Sequence, residues 1–361
     1  MPLASTLAWL IDAAAGTPSP ELFLASLGQR LIEDGAPLVG GALTLASPHP
    51  LISRRTWLWR AESRQVIEAL GFVAGAHAAA AGSPGEAGRR WLQSLAAGPV
   101  HEHAVGPGTD GPRLAWIGAR PFTRRETGRL SEAARFAAAP LAALTARATL
   151  TAALEAYLGR RSAARVLSGP LRRGVGETIE AALLFADLRG FTALSEMSPP
   201  AAVISALDAW FDRIAGSVHA FGGEVLKFMG DGVLAIFPVQ GTSPRSACEA
   251  ALNAVAAART GMAHLDAARR REGLAPLPFG AALHVGDVVW GNIGAADRLD
   301  FTAIGPAVNL VSRLEGLCRP LDKTVLVSGA FAAESAAPLI PLGEHALRGV
   351  PAPCAVFTVA E

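Results

Sequence analysis

The chain has 361 residues, 51% of them apolar, and a formal net charge of +1. That length points to about two domains at ~150 residues each, both apolar enough to bury a core. The composition excludes intrinsic disorder, and the balanced charge, with no long run of one sign, argues against electrostatic binding to nucleic acid or an anionic membrane.

Only two of the 32 basic side chains are lysines, Lys227 and Lys323, so each invites the question of a specific task. The three cysteines, Cys248, Cys318 and Cys354, are far apart with no CxxC spacing, as expected of small buried residues in a reducing compartment. The N-terminus lacks the basic start, apolar run and small-residue cleavage site of a signal peptide. The most membrane-like stretch, 133–158, is interrupted by Arg135, Pro140, Arg147 and Glu155, so it falls short of the ~20 apolar residues that a span requires. The expectation is a cytoplasmic protein.

Residues 1 to about 130 hold five of the seven tryptophans and an α+β pattern without repeats. Helical periodicity covers 22–31, strand-like runs fall at 41–46, 57–60 and 114–118, and 80–88 and 106–112 resemble loops. His101 and His103 alternate along a strand. Two imidazoles without further ligands read as polar residues on a strand face rather than as a metal site. From 123 to 167 the chain becomes helical and alanine-rich, predicting a connecting helix kinked or restarted at Pro140.

After Gly176 the pattern sharpens. Residues 181–187 form a short apolar strand ending in Asp187. An amphipathic helix follows over 200–221, stopped by Gly222-Gly223. Strands at 224–229 and 233–237 are joined by Gly230-Asp231-Gly232, a hairpin turn. A long helix covers about 245–271. Strands at 279–285, 288–293 and 301–304 precede a helix from Pro306 to about Leu317, with further strands at 324–328 and 355–359. The order βαββαβ predicts a sheet covered by helices.

Asp187 ends a core strand and Asp231 sits at a hairpin tip. Singly, each reads as turn or cap chemistry. On adjacent strand ends, the two carboxylates would converge on a divalent cation such as Mg²⁺, which prefers oxygen ligands and leaves room for substrate phosphates. The loop Leu188-Arg189-Gly190-Phe191-Thr192 then leads into a helix, where backbone N–H groups suit phosphate oxygens. Asn309 and Arg313 are i and i+4 on the helix after Gly305-Pro306 and share a face. That pattern fits a solvated helix face or, for a guanidinium amid Val308, Leu310, Val311 and Leu314, a site for a phosphoryl group that gains charge.

Four segments in order resemble the motifs of class III nucleotidyl cyclases: Phe185–Thr192, Gly223–Gly232, Gly291-Asn292-Ile293-Gly294 and Asp300–Glu315. The likeness covers about 180 residues. It implies a ferredoxin-like (βαββαβ) α+β catalytic domain over 177–361 that converts ATP to cyclic AMP and pyrophosphate. In that family, the residues matching Asp187 and Asp231, with the carbonyl of Leu188, hold two Mg²⁺ or Mn²⁺ ions. The loop residues Arg189, Gly190, Phe191 and Thr192 supply the backbone N–H groups expected to cradle phosphates, while the resemblance implies that Asn309 orients the ribose and Arg313 stabilises the α-phosphate transition state. Lys227 and Thr302 match the base-reading positions. An ammonium is donor-only and suits the N1 acceptor of adenine, whereas guanine N1 carries a hydrogen. Arg348, in Leu347-Arg348-Gly349, lies where the family often has a lysine on the terminal phosphates. Family members build the site between two catalytic domains; a chain holding both residue sets implies a head-to-tail homodimer with shared sites.

The first 135 residues are similar to GAF-type sensor domains, and 136–176 to the helical junctions that follow them, which implies regulation by an unidentified signal. Alternatives are a guanylate cyclase, which Lys227 opposes, and a catalytically inactive nucleotide-binding module, which the complete residue set opposes. A diguanylate cyclase, faintly suggested by Gly222-Gly223-Glu224-Val225, lacks the rest of that family's pattern.

Overall fold

The computed structural model describes residues 5–47, 52–72, 86–106, 111–170 and 172–360. The chain forms two compact units, Met1–Ala153 and Leu154–Glu361.

The first unit comprises α1 (Ser5–Asp12), α2 (Pro20–Glu33), β1 (Leu38–Ala46), β2 (Ile52–Arg60), β3 (Val66–Phe72), α3 (Glu86–Leu95), β4 (His101–Ala104), β5 (Arg113–Gly118), α4 (Arg124–Phe136) and most of α5 (Ala138–Leu158). Its five strands pair antiparallel in the order β3-β2-β1-β5-β4. Ser19 caps α2, accepting from Leu22 N–H, and Thr123 with Glu126 forms a capping box on α4. Phe23, Leu24 and Leu27 of α2 pack with Trp57, Trp59 and Trp116 of the sheet. Strand β3 carried no clear sequence signal, and much of the expected loop at 80–88 lies outside the described residues. Its last three residues begin α3, whose Leu92 is buried against the sheet, so packing outweighs the Gly/Pro content nearby.

The connecting helix breaks at Ala137 rather than at Pro140, giving α4 and α5, bent by 43°. Proline lacks an N–H and clashes with the carbonyl four residues back, which places the disruption in the preceding turn, at Phe136–Ala137. Among the described residues no single helix is long and apolar enough to cross a membrane, although α4 and α5 together reach that length and composition. Cys248 and Cys318 are buried; Cys354 is half-buried.

The second unit contains α6 (Arg160–Ser168), β6 (Val175–Leu188), α7 (Phe191–Met197), α8 (Pro200–Ala220), β7 (Glu224–Met229), β8 (Gly232–Pro238), α9 (Pro244–Arg271), β9 (Phe279–Gly294), β10 (Leu299–Ile304), α10 (Pro306–Glu315), β11 (Val325–Ser328), α11 (Gly329–Glu334), β12 (Leu339–His345) and β13 (Cys354–Val359). The sheet order is β12-β13-β11-β9-β6-β8-β7, with β10 paired to β9, so β7 is an edge strand. Among the described residues, β11 and β9 are the one pair that runs parallel. The two strands expected at 279–285 and 288–293 are one 16-residue strand, β9. Gly286-Asp287 resembles a turn, but both residues stay in register with Ala181 and Glu180 of the equally extended β6. Tertiary pairing overrides the local turn signal.

Side-chain alternation divides the core in two. Leu184, Ala186 and Leu283 face α8 and α9, where Trp210, Ile214, Val218 and Ala251 are fully buried. Leu183, Ala282 and Leu234 face α10 and its buried Val311 and Leu314. Each such aliphatic side chain contributes roughly 1.5–3 kcal/mol of transfer free energy. The sheet is thereby clamped from both faces, and its strand ends become fixed platforms.

Candidate active site

Asp187 sits at the end of β6, opposite Gly280 of β9. The β7–β8 turn beside it places Gly230 at φ 67°, a left-handed conformation that glycine adopts at little cost. Trp210, buried under the sheet, donates its indole N–H to the Asp231 carbonyl at 2.9 Å and pins the turn. The two carboxyls face each other. Burial first, then hydrogen bonding and charge from Asp231, then Glu315, hold the Asp187 carboxyl well above the usual carboxylate range, while the Leu188 amide pulls the other way. Asp187 Oδ1 is buried with no hydrogen-bond donor.

Glu315, at the end of α10, is a third acid at this site, which its place in the sequence does not reveal. Gly280 makes room for it: a Cβ there would clash with Glu315 Oε1. Burial raises the Glu315 carboxyl, Arg189 lowers it and Asp231 raises it, so the three acids and one guanidinium share a neighbourhood. Arg189 differs from the expectation of a phosphate cradle. Its amide donates to the Pro278 carbonyl at 2.7 Å and its guanidinium to the Lys323 carbonyl. The amide continues the pairing of β6 with the residues before β9, and the guanidinium is turned to the protein, its Nε buried with no hydrogen-bond partner among the described residues. Gly190, left-handed at φ 78°, caps α7; Phe191 packs on the core, and Thr192 is exposed.

Among the described residues no group of three or more His, Cys, Asp or Glu side chains is disposed to hold a metal. Two facing carboxyls with an orphaned acceptor nevertheless suit Mg²⁺ or Mn²⁺, since such ions take one or two carboxylates and complete their shells with water and substrate phosphates. His101 and His103 form no such centre: His101 packs edge-on against Phe122, and His103 Nδ1 lies 3.4 Å from Ser131 Oγ.

Lys227 on β7 forms an ion pair with Asp300 at the start of β10. Thr302, two residues along β10, is buried. The juxtaposition of β7 and β10, which the sequence does not reveal, makes Asp300 the lysine's partner. Asn309 and Arg313 are both exposed on α10. A Cβ on Gly349 would lie 3.4 Å from the Arg313 guanidinium, so the turn carrying exposed Arg348 touches Arg313. Among the described residues, no hydrogen bond or ion pair joins Asp187 or Asp231 to Asn309 or Arg313. The chain therefore presents three groups: facing acids, a lysine–aspartate–threonine set, and an exposed Asn/Arg pair.

Residues 175–333 match the family model of the adenylate and guanylate cyclase catalytic domain. Adenylate cyclase 1 of Rhizobium meliloti is 35% identical over 158 residues, 43% of this chain and 23% of that protein. Adenylate cyclase of Anabaena cylindrica is 30% identical over 159 residues, 43% of this chain and 30% of that protein. The chain thus spans less than a third of the length of either relative. A bacterial light-regulated adenylyl cyclase of known structure shares the fold at a TM-score of 0.50 and 21% identity, over 70% of this chain and 83% of that one. The matched residues 175–333 lie within the second unit and carry all three groups, so this part of the chain is similar to the catalytic domain of adenylate and guanylate cyclases.

Proposed function

We propose that the second unit is an adenylate cyclase that converts ATP to 3′,5′-cyclic AMP and pyrophosphate. The observation that carries this reading is the Lys227–Asp300 pair beside buried Thr302. A lysine ammonium held by a carboxylate presents its remaining hydrogens to an acceptor, which matches adenine N1 and opposes guanine, whose N1 is a donor. The Thr302 hydroxyl accepts from the adenine amino group.

Asp187 and Asp231, with the Leu188 carbonyl, would hold two divalent ions, Mg²⁺ or Mn²⁺. Bound there, such ions acidify the ribose 3′-hydroxyl and neutralise phosphate charge. Asn309 orients the ribose. The 3′-oxygen forms a bond to the α-phosphorus as the bond to the bridging oxygen breaks, pyrophosphate leaves with the electron pair, and the hydroxyl proton passes to solvent. Arg313 binds the α-phosphate as charge concentrates on it, a contact of the kind worth ~10²–10³ in rate. Arg348, on the turn against Arg313, takes the terminal phosphates in this reading, and the amides of Gly190, Phe191 and Thr192 take phosphate oxygens.

Both residue sets lie on one chain without joining each other, which supports a head-to-tail homodimer with two shared sites. The first unit is read as a GAF-like sensor for an unidentified signal, and the unpaired cysteines fit the reducing cytoplasm. Incubation with ATP or GTP and Mn²⁺, followed by separation of products, tests the assignment. Cyclic AMP formation with ATP preferred is expected; preference for GTP overturns it.

A further inference from the structure

One buried charge in the second unit has no part in the proposed chemistry. Glu224, the first residue of β7, is only 4% exposed, and no ion pair to it occurs among the described residues. It is satisfied by the first turn of α6: the Arg161 amide donates to Oε2 at 3.0 Å, the Ser162 amide to Oε1 at 2.9 Å, and the Ser162 hydroxyl also to Oε1. A buried carboxylate is expensive without such donors. Here it meets the positive end of a helix dipole and three hydrogen bonds. Seating of α6 and burial of Glu224 therefore require each other.

The consequence reaches both walls of the base slot. Glu224 is three residues before Lys227 on an edge strand that, among the described residues, pairs with β8 alone, with a register shift between Val225 and Lys227. On the same helix, Arg165 lies over the Trp290 ring at 4.4 Å and bonds to Glu177. Trp290 packs edge-on against Phe301 at 5.6 Å, and Phe301 stands between Asp300 and Thr302. Val166 packs on the cluster that contains Leu226 and Phe301. Helix α6 thus braces the strand of Lys227 through Glu224 and the strand of Asp300 and Thr302 through Trp290.

We propose that Glu224 is a positioning residue: by fastening α6 to β7 it sets the alignment of Lys227, so purine affinity depends on the seat of this helix. The inference rests on the reading of Lys227 and Thr302 as the base-reading residues. It also gives α6, which follows the last residue of α5 by one glycine, a defined route to the substrate.

The test uses full-length Ser162→Ala, Ser162→Thr, Glu224→Gln and Arg165→Ala proteins, with kcat and KM for ATP and GTP, thermal melting, and amide hydrogen exchange of α6 and β7. Glu224→Gln should raise KM for ATP by about tenfold, the loss expected of one charge-assisted hydrogen bond. The kcat should change by less than about threefold, and the preference for ATP over GTP should narrow. Ser162→Ala should show the same pattern at about threefold, Ser162→Thr should behave as the parent, and Arg165→Ala should narrow the preference. If Glu224→Gln fails to fold, Ser162→Ala decides alone. Parental KM and nucleotide preference in folded variants, or loss confined to kcat, overturns the proposal. If the parent itself makes no cyclic nucleotide, the base reading has failed. Hydrogen exchange then judges the fastening separately: faster exchange of β7 in the variants sustains it, and unchanged protection refutes it.

Discussion

Replacing Lys227 by alanine separates stability from catalysis. The Lys227 and Asp300 side chains are 40% and 45% exposed, so water screens their ion pair, and such pairs contribute about 0.2–1 kcal/mol. For a domain of this size that is a fall in Tm of roughly 0.4–4 °C. In the bound state the same ammonium would donate to adenine N1 in a partly desolvated slot, where a hydrogen bond from a charged group is worth about 1.5–3 kcal/mol. Its loss predicts a drop of roughly 10- to 150-fold in kcat/KM for ATP. The Asp300 carboxylate, freed of its cation, then faces an acceptor on the base and adds repulsion. Lys227→Ala/Asp300→Asn should therefore recover part of the ATP activity lost in Lys227→Ala, which makes the two losses non-additive. Steady-state kinetics with both nucleotides and melting curves on the four proteins of this cycle provide the measurement. Unchanged ATP kinetics in a folded Lys227→Ala protein refutes the reasoning, as does loss of activity only in proportion to loss of folded protein.

Asp187→Ala and Arg313→Ala proteins should each be inactive alone and regain partial activity when mixed under subunit exchange, because each mixed dimer keeps one intact shared site. An exchanging but inactive mixture rules out that arrangement. Gly280→Ala should lower Tm by several degrees, since overpacking beside Glu315 costs about 1–3 kcal/mol, and Gly280→Ala/Glu315→Ala should recover most of it; equal melting of all three proteins contradicts the packing described here. His284, buried on β9 with Nδ1 2.8 Å from Ser328 Oγ, has its imidazole pushed down to about 4 by burial. The unfolded chain therefore binds the extra proton between about pH 6.5 and 4. Stability from this group is intact above that window and falls by up to about 3 kcal/mol as pH drops through it. Chemical denaturation of the parent and of His284→Gln from pH 7 to 4 should show the gap between them closing or inverting with acid; parallel profiles refute it.

The local physics of the second unit is visible in its residues. The apolar runs around 183 and 283, the amphipathic face of α8 and the Gly-Asp turn follow from side-chain period and backbone allowance, which act over a few residues. So does the pairing of Asn309 with Arg313 on one helix face. Resemblance added the roles of Asp187, Asp231, Lys227 and Thr302, which spacing alone left open between turn chemistry and a metal or base site. The helical break near Pro140 was legible too, but its place at Ala137 depended on where the proline's clash falls one turn earlier.

Other features required the folded chain. Asp300 becomes a lysine partner only when β10 pairs with β9 and approaches β7, and Glu315 joins the two aspartates only because Gly280 opposite Asp187 leaves space. The dependence of buried Glu224 on the start of α6 spans more than 60 residues. The continuity of β6 and β9 through turn-like residues comes from a partner strand, not from local preference. In each case the deciding term is a contact or a desolvation between distant segments, and composition and periodicity along the chain carry no information about such terms. The sequence determined which residues are available for chemistry; strand pairing and burial decided which of them meet.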